Sequence, residues 1–387
     1  MSDVPSAVTD HNDVSNSPKF HKDRSGYASA LQTWFQRQRP DATGVEVGKI
    51  DIPSATGFSN ETIFFDVDWT DADGAHHERF VGRIEPGSGA LFPVQTPACA
   101  VSVELQQRVM QVVAGHDVPM CPIVGYEPDP DVLGQPFFVM GFVEGRVPSD
   151  VPRYTVEGFL VDEATPDERR RLVSSGLEAM ARVHAIDWRA AELGWLDASG
   201  VGEPTLAVQL DIYRRFATDQ LAERSHPELF RAFDWLAAHD PHDERVGLAW
   251  GDSRLGNMIF ADYRPAVVCD WEAAALSPTE ADVGWWLMYD RMSFEDLDAP
   301  RMEGFPTREE MVAYYEAKSR RTARDLEFYE VFAGFRFAVV MMRIKSLLVE
   351  FELMPPDSDM GRNNIVTHLV AELLGLPKPG ELTLSWA

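Results

Sequence analysis

Trp250-Gly251-Asp252-Ser253-Arg254-Leu255-Gly256-Asn257 is the stretch on which the reading of this chain turns, with Val267-Val268-Cys269-Asp270-Trp271-Glu272 close behind it. Apolar runs at 246–250 and 258–260 read as short strands, so Asp252 and Asn257 sit on the loop between them. A third run at 266–269, after a tight turn at 261–265, delivers Asp270 to the same end. Phosphoryl transfer needs such a set. One carboxylate must meet an attacking hydroxyl, and separate oxygen ligands must hold a hard, octahedral Mg²⁺ against phosphate oxygens. Asp252 is the candidate base, and Asn257 and Asp270 are the candidate metal ligands. Singly, each reads more readily as a turn or cap residue. Their order and flanking strands make the set specific.

Upstream, the pattern is of strands. Residues 62–69 and 78–84 are β-rich runs around a turn containing Asp73-Gly74, which predicts a hairpin. A short helix is predicted before it at 27–38, with Leu31, Trp34 and Phe35 on one side, and a second helix after it at 100–114. Further strands are expected at 123–126 and 136–142. Gly57-Phe58-Ser59-Asn60 leads into the hairpin, where Ser59 and Asn60 are candidate donors to phosphate. Arg83 ends the second hairpin strand, the place of a phosphate-contacting cation. Glu104, on the following helix, is the expected ion-pair partner that orients it. Residues near Met140 are expected to offer backbone groups to a nucleotide base at a hinge.

Downstream, the pattern is helical. Thr165-Pro166-Asp167-Glu168 and Thr307-Arg308-Glu309-Glu310 are capping boxes. The first opens a helix whose inner face carries His184, read as a supporting residue. Residues 326–351 predict a long buried helix. The aromatic stretch 206–239 is expected on the acceptor side.

The segments 57–62, 81–86, 137–145, 250–260, 268–282 and 325–336 resemble the aminoglycoside phosphotransferase-like kinase family, which is related to choline kinases. Within it they are similar to a branch containing the kinase-like domain of acyl-CoA dehydrogenase fusion proteins. The resemblance implies an α+β, bilobal protein-kinase-like fold, with a small β-rich N-lobe and a larger, mostly helical C-lobe. It also implies ATP as donor, Mg²⁺ as cofactor and a small-molecule hydroxyl as acceptor. The family's catalytic Asp maps to Asp252, its metal ligands to Asn257 and Asp270, and its nucleotide-contacting cation to Arg83. Two positions depart from the family pattern. Trp250 replaces a frequent His and is expected to support the loop by packing. Arg83 replaces Lys, so a fixed fork stands where a point charge is usual. The expected organisation is a polar tail and short helix over 1–39, an N-lobe nucleotide clamp over 40–141, and a C-lobe with catalytic loop, metal ligands and acceptor site over 142–387. Two other readings are a nucleotide-binding regulatory pseudokinase and a kinase of a hydroxyacyl compound rather than an antibiotic.

Composition narrows the partners. The 387 residues are 45% hydrophobic and 25% charged, ordinary for a packed chain, and net charge is −27. Such acidity opposes docking on nucleic acid or anionic lipid. Cys99, Cys121 and Cys269 form no CxxC pair, which fits a reducing cytoplasm. The polar first 25 residues lack the apolar core of a signal peptide, and no span of about 20 apolar residues predicts a membrane helix. Gly251-Asp252-Ser253 also resembles a hydrolase nucleophile block. That chemistry needs a downstream Asp-x-x-His, and the only later His, His368, has Ile at 365.

Overall fold

A tight turn decides the sheet. In the computed structural model, which describes residues 24–52, 60–198, 203–221, 226–242 and 245–382, β2 (Glu61–Asp71) and β3 (Gly74–Ile84) pair antiparallel right up to Asp71 opposite Gly74. Gly74 takes φ +123, and Asp71 Oδ1 accepts the Asp73 N–H at 2.9 Å. The strands therefore run past the predicted 62–69 and 78–84, because the turn needs only two residues. Around this hairpin, β1 (Thr43–Val47), β5 (Phe137–Gly141) and β4 (Ile123–Glu127) complete a five-stranded antiparallel sheet in the order β1-β2-β3-β5-β4. The sequence reading lacked β1, whose five residues alternate too briefly to register.

Side chains alternate across a strand, so the sheet has two different faces. Ile63, Phe65, Val67, Phe80, Ile84, Phe137 and Val139 form one core with Leu31, Trp34 and Phe35 of α1 (Tyr27–Gln38). Trp34 meets Phe137 at 5.3 Å and Phe35 meets Phe80 at 5.2 Å between ring centroids. The intervening residues Thr62, Phe64, Val81, Arg83, Phe138 and Met140 face the opposite way, into a cleft. The helix α2 (Ser102–Val113) follows the sheet. Its N-cap, Val101, offers no side-chain oxygen, and two glutamates replace it: Glu85 Oε2 accepts from Val103 N and Glu104 Oε2 from Ala100 N, both at 2.9 Å.

Beyond the sheet come α3 (Phe159–Asp162), α4 (Pro166–His184), α5 (Leu206–Leu221) and α6 (Pro227–Ala238), then four short strands. β6 (Val246–Ala249) pairs with β9 (Ala275–Pro278), and β7 (Met258–Ala261) with β8 (Arg264–Val268). The β7–β8 turn puts Asp262 and Tyr263 at φ 49 and 57, as a two-residue hairpin loop requires. α7 (Glu280–Phe294), α8 (Arg308–Ser319), α9 (Leu326–Glu350) and α10 (Ile365–Leu373) close the chain. Both predicted capping boxes form, at Thr165 and Thr307. α9 is buried along most of its length and packs against α5, α6, α7 and α10. The whole is the mixed α and β, bilobal kinase-like architecture that the resemblance implied. Among the described residues, no helix is long and apolar enough to cross a membrane.

One connection departs from its own layer. The segment 86–101 between β3 and α2 runs down from the sheet, and Leu91 and Phe92 are buried in the helical cluster formed around α5, α7 and α9. Arg343 of α9 donates to the carbonyls of Ser88 and Ala90, which fixes this strap to the helices. The tail expected over the first 25 residues lies almost wholly outside the described residues, as do Gly57 and Ser59.

Candidate active site

The loop after β6 is built around a residue that only glycine can fill. Gly251 has φ +93, and a Cβ there would lie 2.0 Å from the carbonyl oxygen of Ala273. The backbone on either side is held by Asp282, a fully buried carboxylate in the first turn of α7. Its oxygens accept from Trp250 N at 2.6 Å and Gly251 N at 2.8 Å, and its backbone carbonyl accepts from Ser253 Oγ at 2.7 Å. His184 bridges this carboxylate, with Nε2 at 2.9 Å, and the Tyr315 hydroxyl, with Nδ1 at 2.7 Å. Ser253 is completely buried in this contact, so it is no nucleophile. Trp250 packs on Trp271, as the sequence predicts, and also donates its indole N–H to the carbonyls of Cys269 at 2.8 Å and Asp270 at 3.2 Å. One side chain thus ties the two loops together.

Those loops present three oxygen-bearing side chains. Asp252, buried at 5% exposure, accepts from Trp285 Nε1 at 2.7 Å and Arg254 Nε at 3.0 Å on Oδ1, and from Asn257 Nδ2 at 2.7 Å on Oδ2. Asn257 Nδ2 also donates to the Asp252 carbonyl at 2.9 Å. Both amide hydrogens of Asn257 are thereby committed, which leaves its carbonyl Oδ1 for a cation. Asp270 adopts φ 58, in the left-handed region. Its Oδ1 is buried with no hydrogen-bond partner among the described residues, and Arg83 stands 4.0 Å away. Burial pushes the Asp270 carboxyl above the usual range, Arg83 opposes that, and Asp252 adds to it. A buried carboxylate oxygen without a donor, beside an amide oxygen with none to give, is the donor set a hard divalent cation takes. The residues therefore fit Mg²⁺.

Above these groups lies a cleft of about 360 Å³ between the sheet and the β7–β8 hairpin. Arg83 and Thr62 line one wall, Phe138 and Met140 the back, and Asn257, Met258 and Asp270 the floor. Arg83 is half-buried and donates to Thr62 Oγ1 at 2.8 Å. The expected ion pair between Arg83 and Glu104 does not form. The Glu104 carboxylate caps α2 through Ala100 N and faces Arg108 at 3.7 Å. A helix start without its own cap draws an acid at its third position more strongly than a cation two elements away. Asn60 is buried at 2% exposure, and neither amide atom has a partner among the described residues. Ser59 lies outside them. After Met140, the N–H groups of Gly141 and Phe142 are taken by the carbonyls of Pro122 and Arg79, at 2.8 and 3.0 Å.

Arg254, Asp282, Trp285 and Arg336 converge on the loop and were not singled out from the sequence as part of the site. Arg254 joins Asp252 to Asp150, and Arg336 donates to the Gly251 carbonyl at 2.8 Å. The signal available was Asp282 followed by an apolar run and Arg336 within one, where a charge is costly unless it is paired. The stretch 206–239 serves packing more than the cleft. Tyr213 is fully buried, Phe233 packs on Phe335, and Trp235 packs on Phe328, all against α9.

The sequence profile of the phosphotransferase enzyme family matches residues 55–317. The mouse acyl-CoA dehydrogenase family member 10 is 28% identical over 269 residues, covering 66% of this chain and 23% of that protein. The Arabidopsis thaliana probable acyl-CoA dehydrogenase IBR3 is 26% identical over 317 residues, covering 75% of this chain and 35% of that protein. The chain thus spans about a quarter to a third of the length of these curated relatives. Among solved structures, a candidate aminoglycoside phosphotransferase of Ralstonia eutropha superposes with a TM-score of 0.63 at 24% identity, over 89% of this chain and 96% of that one. A ternary complex of the aminoglycoside phosphotransferase APH(4)-Ia with AMP-PNP and hygromycin B superposes at 0.53 with 12% identity, over 89% and 99%. At these identities the structural likeness shows the fold.

Proposed function

We propose that this chain, which belongs to the phosphotransferase enzyme family, is a small-molecule kinase that transfers the γ-phosphate of ATP to a hydroxyl of its acceptor. The observation that carries the reading is the pairing of a fully oriented carboxylate, Asp252, with one, Asp270, whose buried Oδ1 takes no hydrogen bond among the described residues, beside a cleft of nucleotide size. The organisation that suits it is an N-lobe over 40–141, clamping the nucleotide, and a C-lobe over 142–387.

Asp252 orients the acceptor hydroxyl and accepts its proton on Oδ2 as the new O–P bond forms and ADP leaves. Asn257 holds that carboxylate with one amide hydrogen and the Asp252 backbone carbonyl with the other, which leaves Oδ1 for the cation. Asp270 and Asn257 would hold Mg²⁺, which when bound neutralises charge on the transferring phosphoryl group. Arg83 offers its fork to phosphate oxygens, with Thr62 keeping it in the cleft. Ser59 and Asn60 serve the same phosphates, and the apolar wall of Phe138 and Met140 receives the base. His184 and Trp250 act through the backbone, His184 by holding Asp282 and Trp250 by joining the two loops.

The curated relatives are acyl-CoA dehydrogenase family members, which favours a hydroxyacyl compound over an antibiotic as acceptor. A net charge of −27 supports a small-molecule partner rather than nucleic acid or membrane, and the cysteine usage supports a cytoplasmic setting. The test is ADP release from Mg·ATP across a panel of hydroxyacyl thioesters, hydroxy acids and aminoglycosides, with Asp252→Asn alongside. Acceptor-dependent release that the substitution abolishes is expected. Nucleotide binding without release on any acceptor points instead to a regulatory pseudokinase.

A further inference from the structure

Asp252 is oriented by a tryptophan, and that tryptophan lies under a buried cation. Trp285, on the second turn of α7, is fully buried, and its Nε1–H donates to Asp252 Oδ1 at 2.7 Å. An N–H···O contact that short is typical of a charge-assisted bond. The guanidinium of Arg336, on α9, lies over the face of the same indole, 4.7 Å from its centroid, and over the Tyr213 ring at 4.9 Å. Arg336 is buried at 4% exposure, and its Nη2 donates to the carbonyl of Gly251, the residue preceding Asp252. Its Nε has no hydrogen-bond partner among the described residues. The charge is therefore held largely by aromatic faces, an arrangement whose strength grows with desolvation. A cation over an indole draws electron density from the ring and strengthens its N–H as a donor.

We propose that Trp285 is a positioning residue for the catalytic carboxylate, and that Arg336 acts on the reaction through the Trp285 indole as well as through the Gly251 carbonyl. The inference rests on the reading of Asp252 as the group that meets the acceptor hydroxyl. With Trp285 and Arg254 both on Oδ1, that oxygen is saturated. Oδ2 carries only the Asn257 amide, so a lone pair on Oδ2 is the one presented to a hydroxyl. Without the indole donor the carboxylate is held by Arg254 and Asn257 alone, and the direction of Oδ2 is less tightly fixed. Neither Trp285 nor Arg336 lines the nucleotide cleft, so loss of Trp285 acts on turnover and spares nucleotide affinity.

The experiment has a spectroscopic arm and a kinetic arm. In the ¹⁵N-labelled chain, the Trp285 indole proton, identified by its absence in Trp285→Phe, is expected downfield. It should move upfield in Asp252→Ala and part of the way in Arg336→Met. An indole proton indifferent to Asp252→Ala overturns the proposal. In the kinetic arm, ADP release is read with water as acceptor and saturating Mg·ATP. Trp285→Phe should lower kcat by about 10- to 100-fold and leave the KM for ATP within about twofold of wild type. Trp285→His, which restores a ring N–H, should recover part of the loss. Arg336→Lys, which keeps the charge, should outperform Arg336→Met. In the Trp285→Phe background the kcat penalty of Arg336→Met should shrink, because the indole path is already gone. Equal penalties in both backgrounds overturn the role of Arg336 through the ring. A Trp285→Phe chain with wild-type kcat, or with kcat and nucleotide affinity lost together, overturns the role of Trp285. Where water gives no release, the same variants are read on the acceptor of the panel that wild type turns over; a wild-type chain that binds Mg·ATP yet releases no ADP with water or with any acceptor of the panel overturns the phosphotransfer reading itself, and this inference with it.

Discussion

Asp252 and Asp270 share one electrostatic neighbourhood and are treated in opposite ways. Asp252 takes three side-chain donors, from Trp285, Arg254 and Asn257, before any ligand arrives. Asp270 keeps a buried oxygen without a donor on a backbone in the left-handed region, with its nearest cation, Arg83, at 4.0 Å. A group that must accept a proton along one direction gains from being fixed in advance, because misplacement by about 1 Å costs about 10²-fold in rate. A group that must bind a cation gains from being left unsatisfied, because every donor it already holds has to be displaced. The difference between the two carboxylates is a difference between preorganisation and readiness to coordinate.

Substitutions at four positions test that contrast, in decreasing order of effect. Asp252→Asn keeps the shape and most donors but removes the base, so turnover should fall by about 10²-fold or more with ATP binding nearly intact. Steady-state kinetics and nucleotide titration read both, and near wild-type turnover breaks the contrast outright. Asp270→Asn should weaken Mg·ATP by about one to two decades, the worth of a charged contact, and leave metal-free ATP almost unchanged. Calorimetric titration showing equal loss with and without metal contradicts the assignment. Arg83→Ala should raise the KM for ATP by about tenfold, and Arg83→Lys should recover part of this, because charge survives while the fork is lost. Glu104→Gln should leave that KM unchanged and cost about 0.5–1 kcal/mol of stability through the weakened cap of α2. A KM shift matching Arg83→Ala would instead mean that the two residues pair in solution.

The parts of the site that were legible in the sequence share a cause. Asp252, Asn257 and Asp270 lie within 19 positions, on loops whose flanking strands are set by local apolar runs, so spacing alone brings them together. The hairpin and both capping boxes were legible for the same reason, since their determinants sit within a few residues of one another. Asp282, Trp285 and Arg336 were hidden because their contacts with the loop at 250–253 span 29 to 85 positions and depend on how α7 and α9 pack. The Arg83–Glu104 pairing failed where position along the chain was taken as proof of contact. The local demand of a helix terminus decided where that carboxylate went. Trp250 shows the reverse case. Packing was legible from its size, but the two carbonyls its N–H reaches lie across the β7–β8 hairpin and could only be seen in three dimensions.

The strap at 86–101 has a mechanical consequence. The sheet passes into the helices through the stretch after Gly141, and it is also fastened to them through Leu91, Phe92 and the Arg343 contacts. Other ties reinforce these: Thr96 donates to the Trp195 carbonyl, Val268 N donates to the Pro119 carbonyl, and α2 shares one core with α4. A frame guyed at so many places spreads its load, so no single one of these contacts sets the spacing of the cleft walls.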